Sequence, residues 1–224
     1  MKDIKFIKTR DVKSPNRANQ NDAGIDFFIP SATPEFINDF IKKNEGHTYK
    51  FAYRMNLDDE CVEDSITVYK TEDYGKISPY DILISGMLSQ YGDLQEQEIE
   101  RVKIEYFAIY IPAHERILVP SGVKVWIEQK DSALIATNKS GIATTKGLVV
   151  GATTVDADYT GEVHLSVINT NDYQVPVVCG DKLIQFIHTP VILSKMVEIT
   201  EDEYNKISKK SDRGSGGFGS TGLK

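Results

Sequence analysis

Residues 116–169 read RILVPSGVKVWIEQKDSALIATNKSGIATTKGLVVGATTVDADYTGEVHLSVIN. Short β-rich runs follow one another at 116–119, 122–127, 133–137, 147–150 and 162–169, and Pro, Gly, Asn and Asp fall between them. Apolar residues at a period near two, bounded by turn residues, are the pattern of strands rather than helices. The same character continues through 182–188 and 195–199. Many short strands so spaced predict a mainly β fold, an all-β sandwich or barrel.

Upstream the pattern is more varied. Residues 4–9 alternate like a further strand, and 14–22, polar and containing Pro15, read as a loop. Residues 34–45 (PEFINDFIKKNE) read as a helix: Pro34 suits a first helical turn, and Phe36, Ile37, Phe40 and Ile41 make one apolar face. From there to about residue 108 the chain is mixed, with a strand expected over 65–70, a helix over 78–91, and a passage from charged to strand-like over 96–110. The last segment, 211–224, is dominated by Gly and Ser, a composition that is flexible when free.

The 224-residue chain is 40% hydrophobic and 26% charged, ordinary for a soluble globular protein. No apolar run approaches the ~20 residues that span a bilayer, and residues 1–10 have no signal-peptide core. Cys61 and Cys179 stand far apart with no CxxC or zinc spacing, so they read as free thiols of a reducing, cytoplasmic compartment. The formal net charge of −7 argues against broad binding to a nucleic-acid backbone. A small anionic ligand needs only local positive charge.

Five patches carry chemistry: Ala23-Gly24-Ile25-Asp26-Phe27, Lys139-Ser140-Gly141-Ile142-Ala143, residues 155–162 (VDADYTGE), residues 180–186 (GDKLIQF), and residues 213–222 (RGSGGFGSTG). In an extended chain Asp156 and Asp158 face one way and Val155 and Ala157 the other, and a positioned carboxylate can act as general base on water. The plainer reading of that patch is an acidic turn. In the tail, Arg213 offers a planar fork for phosphate, the glycines let backbone N–H groups approach an anion, and Phe218 can stack on a base. Residues 214–219 match GxGxxG, but no βαβ unit precedes them, so a dinucleotide fold is excluded. A cation, a hydroxyl and a glycine at 139–141 suit an oligophosphate as well as they suit a hairpin turn.

In content, order and spacing the five patches resemble the five motifs of the trimeric dUTPases, over roughly residues 1–30 and 109–224. The run at 111–123 looks like the strand pair preceding that family's second motif, and 144–154 like its β-hairpin. The resemblance implies a jelly-roll-like β-sandwich, a homotrimer whose sites each draw on three subunits, and hydrolysis of dUTP to dUMP and pyrophosphate. It implies Asp156 as the base that activates water and Tyr159 as the ring packed under deoxyribose. Lys139, Ser140, Gly141, Gln185, Arg213, Gly216, Gly217, Ser220 and Thr221 would face phosphate, and Phe218 would cover uracil. Thr154 and Val155 end the uracil-reading hairpin. His164, on the strand after the third motif, counts on the substrate side, with exposed surface as its plainer reading. Asp26 would help hold Mg²⁺ or its water shell, the metal riding on the triphosphate.

Three departures stand out. Lys139 takes the place of a usual arginine, Thr153 stands where the hairpin often has glycine, and residues 31–108 have no counterpart in minimal members. The expected division is therefore a β core at 1–30 and 109–210, an inserted accessory subdomain of mixed helix and strand at 31–108, and a flexible lid at 211–224. The insert is acidic and Tyr-rich and offers a surface to a protein partner. Neither nucleic acid nor membrane is expected as a partner. The alternative functions are a dCTP deaminase-like or modified-pyrimidine activity on the same fold, or a regulatory binding role through the insert.

Overall fold

The computed structural model describes residues 3–57, 60–68, 103–212 and 214–215, with side chains over 3–54, 107–212 and 214–215. In chain order the elements are β1 (Ile4–Lys8), β2 (Ile25–Phe28), α1 (Pro34–Lys43), β3 (Tyr49–Leu57), β4 (Glu60–Val68), β5 (Lys103–Ile111), β6 (Arg116–Ile127), β7 (Ser132–Thr137), α2 (Ser140–Lys146), β8 (Leu148–Val150), β9 (Thr154–Asp156), β10 (Glu162–Asn169), β11 (Val175–Val178), β12 (Lys182–Pro190) and α3 (Glu201–Ser208). The helix expected over 78–91, together with Arg213 and residues 216–224, lies outside the described residues.

The strands form three antiparallel four-stranded sheets, ordered β1-β6-β10-β8, β2-β12-β7-β9 and β11-β5-β3-β4. The fold is mainly β and jelly-roll-like, with open sheets rather than a closed barrel. β10 shows why: Val163, Leu165, Val167 and Asn169 are buried in strict alternation. Buried Asn169 has its amide fully used. It donates to the carbonyls of Ile111, Pro112 and Tyr173 at 3.0, 2.9 and 2.8 Å, and its Oδ1 accepts from Asn171 N. β6 is one strand where the sequence pattern suggests two. Pro120 costs no ladder bond to β1, which pairs only with residues 123–127. The register shift opposite it, between Glu162 and His164, absorbs the bend. Gly122 adopts φ +70°, and a Cβ there would stand 3.0 Å from Arg10 and Val12 side chains.

α1 follows its sequence signals. Thr33 Oγ1 accepts from Phe36 N at 3.3 Å, Pro34 opens the helix, and Lys42 and Lys43 close it. Its C-terminus is tied to β6 through buried Asn44, whose Nδ2 donates to the carbonyls of Phe40 and Leu118 at 2.7 and 2.9 Å while Oδ1 accepts from Leu118 N at 2.8 Å. Phe36, Ile37, Phe40, Tyr49 and Phe51 belong to the same hydrophobic cluster as Phe27, Val119, Leu165, Val177 and Phe186. The described part of 31–108 thus shares the main core rather than building one of its own.

Met1–Val191 pack as one unit and Ile192–Lys224 as a second. In the second, a capping box starts α3: Thr200 Oγ1 accepts from Glu203 N at 3.3 Å and Glu203 Oε2 accepts from Thr200 N at 2.9 Å. Residues 195–199, expected as a strand, pair with no described strand.

Candidate active site

Three of the five patches meet in a polar cavity of about 270 Å³ whose wall includes Gly24, Asp26, Lys139 and Gln185. The antiparallel pairing of β12 with β2 and β7 brings them together, setting Gln185 opposite both Asp26 and Thr137. The Gln185 side chain lies against Gly24: a Cβ built there would sit 2.7 Å from Gln185 Cδ, and a larger residue would move that amide. Gln185 Nε2 donates to Asn138 O at 3.0 Å, and Asn138 Oδ1 accepts from Val150 N at 2.8 Å, which joins the cavity to β8.

Asp26 is 3% exposed. Lys139 Nζ bonds one of its oxygens, and Lys182 Nζ lies 2.9 Å from the other. Burial works against the charge, but the two ammonium groups outweigh it and hold the Asp26 carboxyl below the usual carboxylate range. Both Asp26 oxygens are paired with lysines, and among the described residues no three His, Cys, Asp or Glu side chains gather as a metal site, so any Mg²⁺ near Asp26 would be met through its water shell. Lys182 is a member of this group that residue type alone does not mark. Its partner becomes visible only once β12 lies beside β2.

Lys139 is also the N-cap of α2, so Ser140 and Gly141 open a helix whose first N–H groups lack intrahelical partners. The β-hairpin expected over 144–154 is absent. Residues 140–146 are helical, braced by Thr144 Oγ1 donating to Ser140 O at 2.6 Å and Thr145 Oγ1 to Gly141 O at 2.5 Å, and ended by Gly147 at φ +61°. β8 then pairs with β10 and β9 with β7, so the two strands diverge into different sheets. Thr154 and Val155 lie opposite Ile135 and Leu134, and Thr153 O accepts from Ala136 N at 2.6 Å.

Asp156 ends β9 opposite Ala133 and is exposed, as is Asp158, while Ala157 between them is buried. Lys130 Nζ donates to Ala157 O at 3.0 Å and stands 4.0 Å from the Trp126 ring centroid. Tyr159 N donates to Asp156 O at 3.1 Å, and the Tyr159 hydroxyl donates to Glu162 O at 2.9 Å. The Tyr159 ring lies against Gly161, where a Cβ would stand 2.5 Å from Cζ. Positions 133 and 137 of β7 are roughly 13 Å apart at about 3.3 Å per residue. Within one chain the Asp156–Tyr159 turn and the Lys139 cavity are thus separate groups.

His164 joins neither group. Burial, with Lys43 nearby, holds its ring below the usual histidine range, and its buried Nε2 has no hydrogen-bond partner. Its surroundings are Lys43 and Asp39 of α1 and Glu162 of β10. Burial pushes the free Cys179 thiol up to about 12, which keeps it protonated at neutral pH.

Comparison with known proteins accords with this geometry. A deoxyuridine 5'-triphosphate nucleotidohydrolase of Shewanella piezotolerans is 30% identical over 139 residues, 61% of this chain and 88% of that protein. One from Hydrogenobaculum is 34% identical over 118 residues, 52% of this chain and 77% of that protein. The dUTPase of Staphylococcus bacteriophage 80alpha, solved with dUPNHPP, superposes with a TM-score of 0.56 at 14% identity and covers 100% of both chains, a likeness of fold. The sequence pattern of the dUTPase family matches residues 105–222, more than half of the 224-residue chain. The chain belongs to the dUTPase family.

Proposed function

We propose that this protein hydrolyses dUTP to dUMP and pyrophosphate, in a homotrimer that brings the Asp156–Tyr159 turn of one copy to the Lys139 cavity of another. The observation that carries this is the convergence of Gly24, Asp26, Lys139 and Gln185 on one cavity, with the candidate base Asp156 on a separate edge of the same sheet. A site so divided is completed by a second copy. Asp156 would take a proton from water, which attacks the α-phosphorus in line. Lys139, Gln185 and the first N–H groups of α2 would hold the phosphate oxygens, so that catalysis is positioning plus electrostatics. The family implies Mg²⁺, and the phage phi11 dUTPase has been described coordinating a structural Mg(II) ion. An ion carried on the triphosphate needs no carboxylate cage of the kind this chain lacks among its described residues.

Pyrophosphate release across dUTP, dCTP, dTTP, UTP and dATP tests this reading. Release from dUTP is expected to dominate. With Tyr159 against the deoxyribose, a 2′-hydroxyl must clash, so kcat/KM for UTP is expected at least about 100-fold below that for dUTP. Equal values would remove Tyr159 from the sugar site, and preference for dCTP would overturn the substrate. The tail gives a second expectation. Deleting residues 211–224 removes Arg213, Phe218, Ser220 and Thr221, proposed to close over the nucleotide. The truncated protein is expected to fold and assemble with kcat/KM lowered about 100-fold, the weight of lost electrostatic and closure contributions. Full activity would sink the lid.

A further inference from the structure

The start of β10 is held by a half-buried ionic knot outside the candidate site. Arg10, 13% exposed in its side chain, grips Glu162 with two bonds, Nε to Oε1 at 3.1 Å and Nη2 to Oε2 at 3.2 Å. The same guanidinium reaches Asp39 of α1, Nη2 to Oδ2 at 2.5 Å. Glu162 Oε1 also accepts from Gly122 N at 2.7 Å, at the bend of β6. Glu162, itself 13% exposed in its side chain, therefore cannot shift without breaking three bonds. Its backbone carbonyl is the acceptor for the Tyr159 hydroxyl at 2.9 Å. A continuous path runs from α1 through Asp39, Arg10 and Glu162 to the ring proposed to face the sugar.

We infer that Arg10 is a positioning residue: by fixing Glu162 between α1 and the bend of β6, it fixes the Tyr159 ring and so sets how strongly the site discriminates deoxyribose from ribose. The inference deepens the proposed function and rests on it. The physical case is a contrast in exposure. Tyr159 is 43% exposed, with Gly161 beneath it and one hydroxyl bond to hold it. The one bond at the tip of so exposed a ring runs to a residue locked by a bidentate guanidinium, the geometry in which charge-assisted bonds are strongest. Asp39 adds a contact to the helix that begins the 31–108 segment. A partner or substitution that displaces α1 would therefore be felt at Tyr159 through Asp39 and Arg10.

Two readouts test this, one independent of turnover. Arg10→Met keeps the aliphatic stem and removes the fork. Glu162→Gln keeps an acceptor for Gly122 N and removes the charge, and serves if Arg10→Met fails to fold. Hydrogen exchange of the peptide spanning 156–162 is expected to accelerate about tenfold in either variant, with exchange across β7 and β12 unchanged. The ratio of kcat/KM for dUTP over UTP is expected to fall about five- to tenfold, mostly through faster UTP turnover. Asp39→Asn should give the same signature at smaller size. A double-mutant cycle of Glu162→Gln with Tyr159→Phe should be non-additive, since either change alone breaks the same path. Unchanged exchange over 156–162 overturns the tether whatever the activity. Faster exchange with an unchanged dUTP/UTP ratio overturns the positioning role. If the parent hydrolyses neither nucleotide, the proposed function falls, and the exchange measurement still decides the tether.

Discussion

Asp156→Asn is expected to lower kcat roughly 10²–10⁴-fold, the usual contribution of a positioned general base, while leaving the fold and nucleotide affinity near those of the parent. The asparagine amide matches the carboxylate in shape, and the backbone at 156 is held by pairing with Ala133 and by Tyr159 N on its carbonyl. Nothing in the packing depends on the charge, because the side chain is exposed while neighbouring Ala157 supplies the buried anchor. Loss should therefore fall on the chemical step: kcat and kcat/KM should drop together, and the Kd of a non-hydrolysable dUTP analogue should move by less than about threefold. A variant turning over within a few-fold of the parent would remove Asp156 from the mechanism and leave the exposed turn as surface.

Phe40→Ala is the largest expected loss of stability, about 3–5 kcal/mol, because truncating a fully buried aromatic leaves a cavity that the surroundings fill only in part. Phe40 is 0% exposed. Its ring stands 5.1 Å from that of Tyr49, nearly edge-on at 84°, and 5.7 Å from that of Phe51, which in turn is 4.9 Å from that of Phe107. The four rings link α1, β3 and β5 into the core. Against a total of about 5–15 kcal/mol for a typical domain, the loss takes a large share. Urea unfolding of parent and variant at one protein concentration measures it. A change below about 1 kcal/mol would mean that α1 is peripheral, and that residues 34–106 can be exchanged for a short Gly/Ser connection without harm. With the shared core, that exchange is instead expected to unfold the protein.

Local pattern carried much of this fold. The alternation of 162–169 and the Pro34 start and apolar face of α1 were legible because period and first-turn preference are local properties. α2 was not: Gly141, Thr144 and Thr145 are poor helix formers, and Lys139 makes no side-chain cap bond. The helix is held by its backbone ladder, beginning with Ala143 N on Lys139 O, while the threonine hydroxyls turn back onto Ser140 and Gly141, a choice visible only in the folded chain. β11 escaped notice because four residues including Pro176 give little signal, yet it pairs with β5 along its full length. The opposite error fell at 195–199, where apolar residues suggested a strand while the Thr200–Glu203 capping box beside them announced α3.

Residue types named the candidate site, and register distributed it. Asp26, Lys139 and Gln185 were singled out from sequence, but that Asp26 holds two lysines follows only from β12 pairing with β2. His164 seemed near the Asp156 turn because they are close in sequence; one strand's alternation was enough to set it beside α1.

The pairing of β2 with β12 also bears on how the protein is made. Asp26 and Gln185 are partners across most of the chain, as are Arg10 and Glu162. Contacts so distant in sequence raise contact order and slow folding. On a ribosome adding about 5–20 residues per second, β2 waits roughly 8–32 s for its neighbour to be synthesised. Through that interval Phe27 and Phe28, 1% and 3% exposed in the finished protein, have no sheet to cover them in the nascent chain. The cavity that gathers Gly24, Asp26 and Gln185 closes only when β12 emerges, so its assembly is among the last events of synthesis, and the first strands are the ones a chaperone would meet.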